Sequence, residues 1–169
     1  MDVYKACALV DAQAFVENNL MYSSFPSELF PVIFFILAGA IAFSTGTSWG
    51  TFGILVPIAT TLLAGSGTLI VLTVSATLGG AVFGDHISPI SDTTILASAG
   101  AECNHVDHVN TQLPYAGLVA AIAAVSYLIA GFCATLGGVL CGVILWASAL
   151  ALFAAAVVII KMLEKNKQD

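Results

Sequence analysis

A chain of 169 residues that is 59% hydrophobic and only 8% charged cannot cover a soluble surface, since soluble domains carry roughly 25% charged residues. Its mean hydropathy of +1.01 marks an integral membrane protein, and its length suits one domain or one part of a larger bundle. A net charge of −6 with no arginine excludes nucleic-acid binding, which needs a basic face.

Cysteine adds little. Cys7, Cys103, Cys133 and Cys141 form no Cys-x-x-Cys pair, and the last two lie in apolar runs, where cysteine behaves as a small hydrophobe. The start, Met1 to Val10, lacks the basic and apolar regions of a signal peptide. No internal repeat is evident.

In chain order, residues 1–28 place Val3, Ala6, Val10, Ala14 and Leu20 along one helix face, but Asp2, Lys5, Asp11 and Glu17 exclude an ordinary spanning helix. The segment reads as the end of a helix plus an interfacial stretch. A turn around Pro26 follows, and Ser27 or Glu28 begins the next helix, with Pro31 tolerated in its first turn.

Residues 29–43 are apolar but fall short of the roughly 20 needed to cross the hydrocarbon core, and they stop at Ser44-Thr45-Gly46-Thr47-Ser48-Trp49-Gly50. A second short run, Thr51 to Ala64, contains Pro57. Two half-length helices around a polar, glycine-rich turn predict a re-entrant hairpin over 29–64. Irregular backbone at membrane depth survives only where protein buries it or a wet cavity borders it.

Gly65-Ser66-Gly67 is a connection, and 68–83 forms another short apolar run. It ends in Gly84-Asp85-His86-Ile87-Ser88-Pro89-Ile90-Ser91-Asp92-Thr93-Thr94, although no Asp, Glu, Lys, Arg or His occurs between Leu29 and Gly84. With the helical stretch from Thr93 to Ala99, residues 68–100 read as a spanning helix broken in its middle. Pro89 supplies the break, because it lacks an N–H and clashes with the carbonyl four residues earlier, that of Asp85. Residues 101–112 read as a polar loop, and 113–160 as two transmembrane helices joined at Ala134-Thr135. Lys161, Lys165 and Lys167 place the 161–169 tail in the cytoplasm by the positive-inside rule.

Ionisable groups inside a membrane segment mark ion paths, proton relays or substrate sites. Burial disfavours the charged form of a carboxylate and so favours its protonation, whereas a small hard cation favours the ionised form through oxygen ligands. A carboxylate that holds either a proton or sodium, but not both, is the chemical core of an antiporter. Asp85 is the first candidate for that group. Asp92 either supports it or caps the following half-helix. Ser88, Ser91, Thr93 and Thr94 offer neutral oxygens beside the two acids. A second set, Ser44, Thr45, Thr47, Ser48 and Thr51 among Gly46, Gly50 and Gly53, sits where glycine lets backbone approach a ligand. Unwound segments in two separated places point to a transporter's binding site, although small residues also serve helix contacts. Thr68, Thr73, Ser75, Thr77 and Gly79-Gly80 fit such packing.

Two other chemistries fit the sequence less well. Glu102-Cys103-Asn104-His105-Val106-Asp107-His108 has a Cys-x-His-x-x-His spacing unlike structural zinc sites, and reads as a solvated polar turn rather than a metal site, with a pH-responsive loop as the alternative. Paired intramembrane aspartates suggest an aspartyl protease. That family presents Gly-x-Gly-Asp, whereas this chain has Val82-Phe83-Gly84-Asp85, with both acids within eight residues rather than on two facing helices. An enzyme is not expected.

Three motifs in order resemble the NhaC-type sodium/proton antiporter family. They are Ser44 to Phe52 through Pro57, then Gly80 to Thr94, then His105-Val106-Asp107-His108-Val109 with Thr111-Gln112-Leu113-Pro114-Tyr115-Ala116. The likeness covers residues 29–116 and matches the C-terminal signature of the family, whose wider membership includes exchangers of malate and lactate and carriers of amino acids. It implies an all-α integral membrane protein, a helical bundle with a re-entrant hairpin and a broken helix forming the second half of an inverted-repeat transporter that moves like an elevator. It also implies sodium and protons as transported ions, no cofactor, and a plasma-membrane location. The site set would be Asp85, Asp92, Ser88, Ser91, Thr93, Ser44, Thr45, Thr47 and Ser48, with both aspartates as sodium ligands. Family members are several hundred residues long, so the expected partners are the lipid bilayer, an N-terminal half or split partner chain, and a second copy in a homo-oligomer. The alternatives are a sodium-coupled organic-acid or amino-acid exchanger and a truncated fragment that does not transport.

Overall fold

The computed structural model describes residues 26–165, and side chains within 26–158. Most of the segment expected as a helix end and interfacial stretch, and the last residues of the tail, lie outside these. Among the described residues the regular structure is helical throughout. Six α-helices follow one another: α1 (Phe30–Thr45), α2 (Ser48–Leu62), α3 (Thr68–Ile87), α4 (Asp92–Gly100), α5 (His105–Phe132) and α6 (Gly138–Lys165), with short 3-10 turns at Ser27–Leu29 and Ala134–Leu136.

Among the described residues, four stretches are long and apolar enough to cross a membrane: Ser27–Thr45, Thr68–Ile87, His105–Phe132 and Gly138–Val158. This is a multi-pass, all-α membrane protein. Three boundaries differ from the sequence reading. The 3-10 turn adds to α1, so this arm reaches 19 residues rather than stopping short. α3 continues into the polar motif as far as Ile87 and at about 30 Å is long enough by itself. The polar loop expected over 101–112 becomes helix from His105 onward, because the Asn104 side chain accepts from the backbone N–H groups of Val106 and Asp107 and caps α5. A polar sequence and a helical backbone are compatible once those first donors are satisfied.

α1 ends at Gly46, which takes the left-handed conformation at φ 65°, a conformation that glycine adopts without steric cost. Thr47 then caps α2, its hydroxyl accepting from Gly50 N–H at 3.3 Å. This tight reversal sends α2 back along the bundle. A second reversal through Gly65 and Gly67, both at positive φ, turns the chain again, so α3 runs parallel to α1.

The α1/α3 contact is glycine-lined. A Cβ at Gly80 would collide with the Phe35 carbonyl and one at Gly84 with the Gly39 carbonyl. Between membrane helices no hydrophobic drive operates, and close backbone approach through small residues supplies the packing. Phe34, Ala38, Ala42, Leu55, Ala59 and Ala81 fill the space among α1, α2 and α3. The buried hydroxyls of Thr73 and Thr77 donate to the carbonyls of Leu69 and Thr73, at 2.9 and 2.7 Å, so they bury no unsatisfied donor. α5 runs antiparallel to α3. Its Tyr127 ring meets Phe35 at 5.7 Å, and Gly131 lies against the Glu28 carbonyl. α6 folds back onto α5, where the Cys141 thiol donates to the Ala130 carbonyl at 3.2 Å.

Candidate ion-binding site

Because α1 and α3 are parallel, the reversal after α1 and the break after α3 lie at the same end of the bundle. They touch. A Cβ at Gly46 would fall 2.9 Å from the Ile90 carbonyl, so only glycine permits this approach. The Ser88 hydroxyl donates to the Phe43 carbonyl at 2.7 Å and ties the two irregular segments together.

Asp85 sits beside this junction in the last turn of α3, 8% exposed. Its Oδ2 accepts from Ser48 at the start of α2, at 3.2 Å. Its Oδ1 accepts from Ser91 across the break, at 2.7 Å. Ser91 and Thr93 hydroxyls lie 2.7 Å apart. Ser91 already spends its single proton on Asp85, so Thr93 donates to Ser91. A line of hydroxyls thus leads from the exposed Thr93 through the fully buried Ser91 to the carboxylate. Each of these oxygens keeps lone pairs for a hard cation, and the carboxylate can alternatively take a proton.

The break itself is short. It spans residues 88–91 and leaves Asp85 and His86 inside α3. Proline leaves the Asp85 carbonyl without its usual partner, and Ser88 N–H takes it at 3.1 Å. Ile90 N–H turns to the Ser88 hydroxyl at 3.4 Å. The His86 carbonyl accepts from Thr94 at 3.3 Å and from the Gln112 amide at 2.8 Å.

The structure divides the nine expected site residues. Asp85, Ser48, Ser91 and Thr93 converge. Ser88 and Thr47 hold backbone at the two irregular segments. Ser44 and Thr45 turn back onto their own helix, donating to the carbonyls of Ala40 and Ile41 at 2.8 Å each. Thr51 likewise donates to the Thr47 carbonyl at 2.9 Å. Asp92 is the first residue of α4, and Ser91 occupies the cap position that was one of the two roles open to Asp92. Asp92 is exposed at the positive end of a helix dipole.

Sequence reasoning placed His105 in a solvated turn and missed its contacts. Its Nε2 lies 2.7 Å from the Pro89 carbonyl and its Nδ1 3.0 Å from the Ser98 hydroxyl. A carbonyl only accepts, so Nε2 carries the hydrogen. The Cys103 thiol rests on the Ser98 carbonyl at 3.6 Å, and among the described residues no three His, Cys, Asp or Glu side chains gather as a metal site would require. Asn104 three residues before Asp107 was the available signal that 105–112 is helical.

An open groove of about 560 Å³ runs beside the site between α3 and α5, lined by Phe35, Phe83, His86, Gln112, Tyr115 and Tyr127 among others.

The sequence pattern of the Na+/H+ antiporter family matches residues 10–132. An uncharacterized protein of Haemophilus influenzae is 53% identical over 116 residues, which is 68% of this chain and 22% of that protein. A malate-2H+/Na+-lactate antiporter of Bacillus subtilis is 34% identical over 62% of this chain and 22% of its own length. An arginine/ornithine antiporter of Halobacterium salinarum is 36% identical over 65% of this chain and 24% of its own length. The chain therefore spans less than a quarter of the length of these relatives. No solved structure matches it.

Proposed function

For a chain that belongs to the Na+/H+ antiporter family, we propose a role as one part of a secondary antiporter in which Asp85 alternately holds sodium and a proton. The observation that carries this reading is the position of Asp85. It is a buried carboxylate bridged by hydroxyls from two separate places, Ser48 at the start of α2 just after the first reversal and Ser91 within the break. Ser48, Ser91 and Thr93 would supply neutral oxygens to the ion. Transfer of a proton to Asp85 removes the negative charge that holds sodium, so the two cargoes exclude each other.

The site as described has one carboxylate and three hydroxyls, and the remaining ligands would come from the rest of the transporter. The chain would lie in the plasma membrane with Lys161, Lys165 and Lys167 on the cytoplasmic side. Reconstitution with the remainder of the transporter in vesicles holding a pH-sensitive dye provides the test. Asp85→Asn is expected to abolish sodium-dependent proton exchange, and undiminished exchange would overturn the assignment.

A second reading is favoured by the groove beside the site and by the relatives named for malate, lactate, arginine and ornithine. In it, the same ion site drives exchange of a small organic acid or amino acid. Substrate-dependent sodium uptake separates the two readings.

A further inference from the structure

The carbonyls freed by the break reveal how the ion site is held. Of those of Asp85, His86 and Pro89, the first is taken by the local Ser88 N–H. The other two are reached from α5: Gln112 donates to His86 at 2.8 Å, and His105 donates to Pro89 at 2.7 Å. The same imidazole sits against Ser98 of α4, which is 3% exposed. Thus the first turns of α5 grip the end of α3, the linker and α4 together.

We propose that His105 and Gln112 are positioning residues for the ion site, holding the 88–91 linker so that Ser91 stays against Asp85. The inference rests on the reading of Asp85 as the ion-binding carboxylate. The linker is four residues long, with His86 fixed before it and Pro89 within it. Little freedom is left for Ser91, whose hydroxyl must lie within hydrogen-bond reach of Oδ1. Freed from α5, the linker exchanges these contacts for solvent, and the Ser91 oxygen spends less time at the carboxylate. A solvated polar turn, the plain reading of 101–112, would not direct a ring nitrogen and an amide onto two carbonyls of another element. The grip has a rigid base, because Asn104 fixes the start of α5.

The test is the apparent KM for sodium against the maximal rate, measured in proteoliposomes holding the chain with the remainder of the transporter. His105→Leu is expected to raise the KM roughly fivefold, the size of one hydrogen bond, with a smaller change in maximal rate. His105→Gln, whose amide reaches the place of Nε2, restores most of the affinity. His105→Asn reaches only the place of Nδ1 and does not. Gln112→Leu shifts the KM in the same direction as His105→Leu. An unchanged KM in His105→Leu overturns the inference, as does a Gln variant as impaired as the Leu variant. If His105→Leu fails to reach the membrane, the Gln and Asn variants decide, and equal KM values overturn it. Continued exchange in Asp85→Asn would overturn the site itself. Lost exchange in Asp85→Asn with an unchanged KM in His105→Leu overturns only the positioning role.

Discussion

A carboxylate removed from water costs several kcal/mol unless its oxygens are satisfied, and at Asp85 hydroxyls from Ser48 and Ser91 meet that need. Hydrogen bonds to a charged group are worth about 1.5–3 kcal/mol each, so the two serines matter more than their small size suggests. Ser91→Ala is expected to lower apparent sodium affinity roughly tenfold or more, while Ser44→Ala and Thr45→Ala leave it within about twofold, because those hydroxyls bond to their own helix. A sodium titration of exchange activity checks both; comparable losses in all three would remove the distinction. That Asp85 would need partners was legible in the sequence, because an ionisable group at the end of a long apolar stretch must be satisfied by the fold. The direction of a hydroxyl was not. Composition places Ser44, Thr45, Thr47 and Ser48 in one turn, but the α-helical bonding of the first two and the capping role of Thr47 leave Ser48 alone to reach the carboxylate.

Among the elements, the α1/α3 pair depends on missing side chains. At Gly80 and Gly84 an added methyl meets backbone, which cannot swing aside as a flexible side chain can. Overpacking costs about 1–3 kcal/mol in ordinary cores, so Gly80→Ala or Gly84→Ala is expected at the upper end of that range or beyond. Gly53→Ala, with nothing within 4 Å, serves as the control and is expected to leave stability unchanged or slightly raised. Thermal unfolding in detergent compares them, and equal melting temperatures would contradict the close approach. At the start of α5, Asn104→Ala is expected to cost about 1 kcal/mol, visible as faster amide exchange at Val106 and Asp107. Protection unchanged at both would show that the cap is dispensable. The helices were legible as apolar runs, and the break from Pro89. Their ends were harder to read. α3 carries Asp85 and His86 as helix because proline disturbs the backbone ahead of it only as far as the bonds it removes, and polar residues after Asn104 hid the start of α5.

In the whole molecule, the bundle brings the reversal after α1 and the break after α3 to one end, where Asp85 lies, while leaving α6 with little of its surface covered. Only 6% of its most apolar stretch is buried, against 50% for α3. Its remaining surface is suited to lipid or to further helices, and the matched relatives are more than four times longer than their match to this chain. The sequence disclosed the membrane class and the two irregular segments. It did not disclose that α1 and α3 are parallel, because periodicity carries no direction. That parallel pairing sets an order of events during synthesis. Phe43 and its partner Ser88 are 45 residues apart, so at about 5–20 residues per second α1 waits roughly 2–9 s for α3 to emerge. In water an unpartnered apolar face would invite wrong association during that interval. In the bilayer, lipid chains cover the face without penalty, and its glycines commit to a partner only when another backbone can come close.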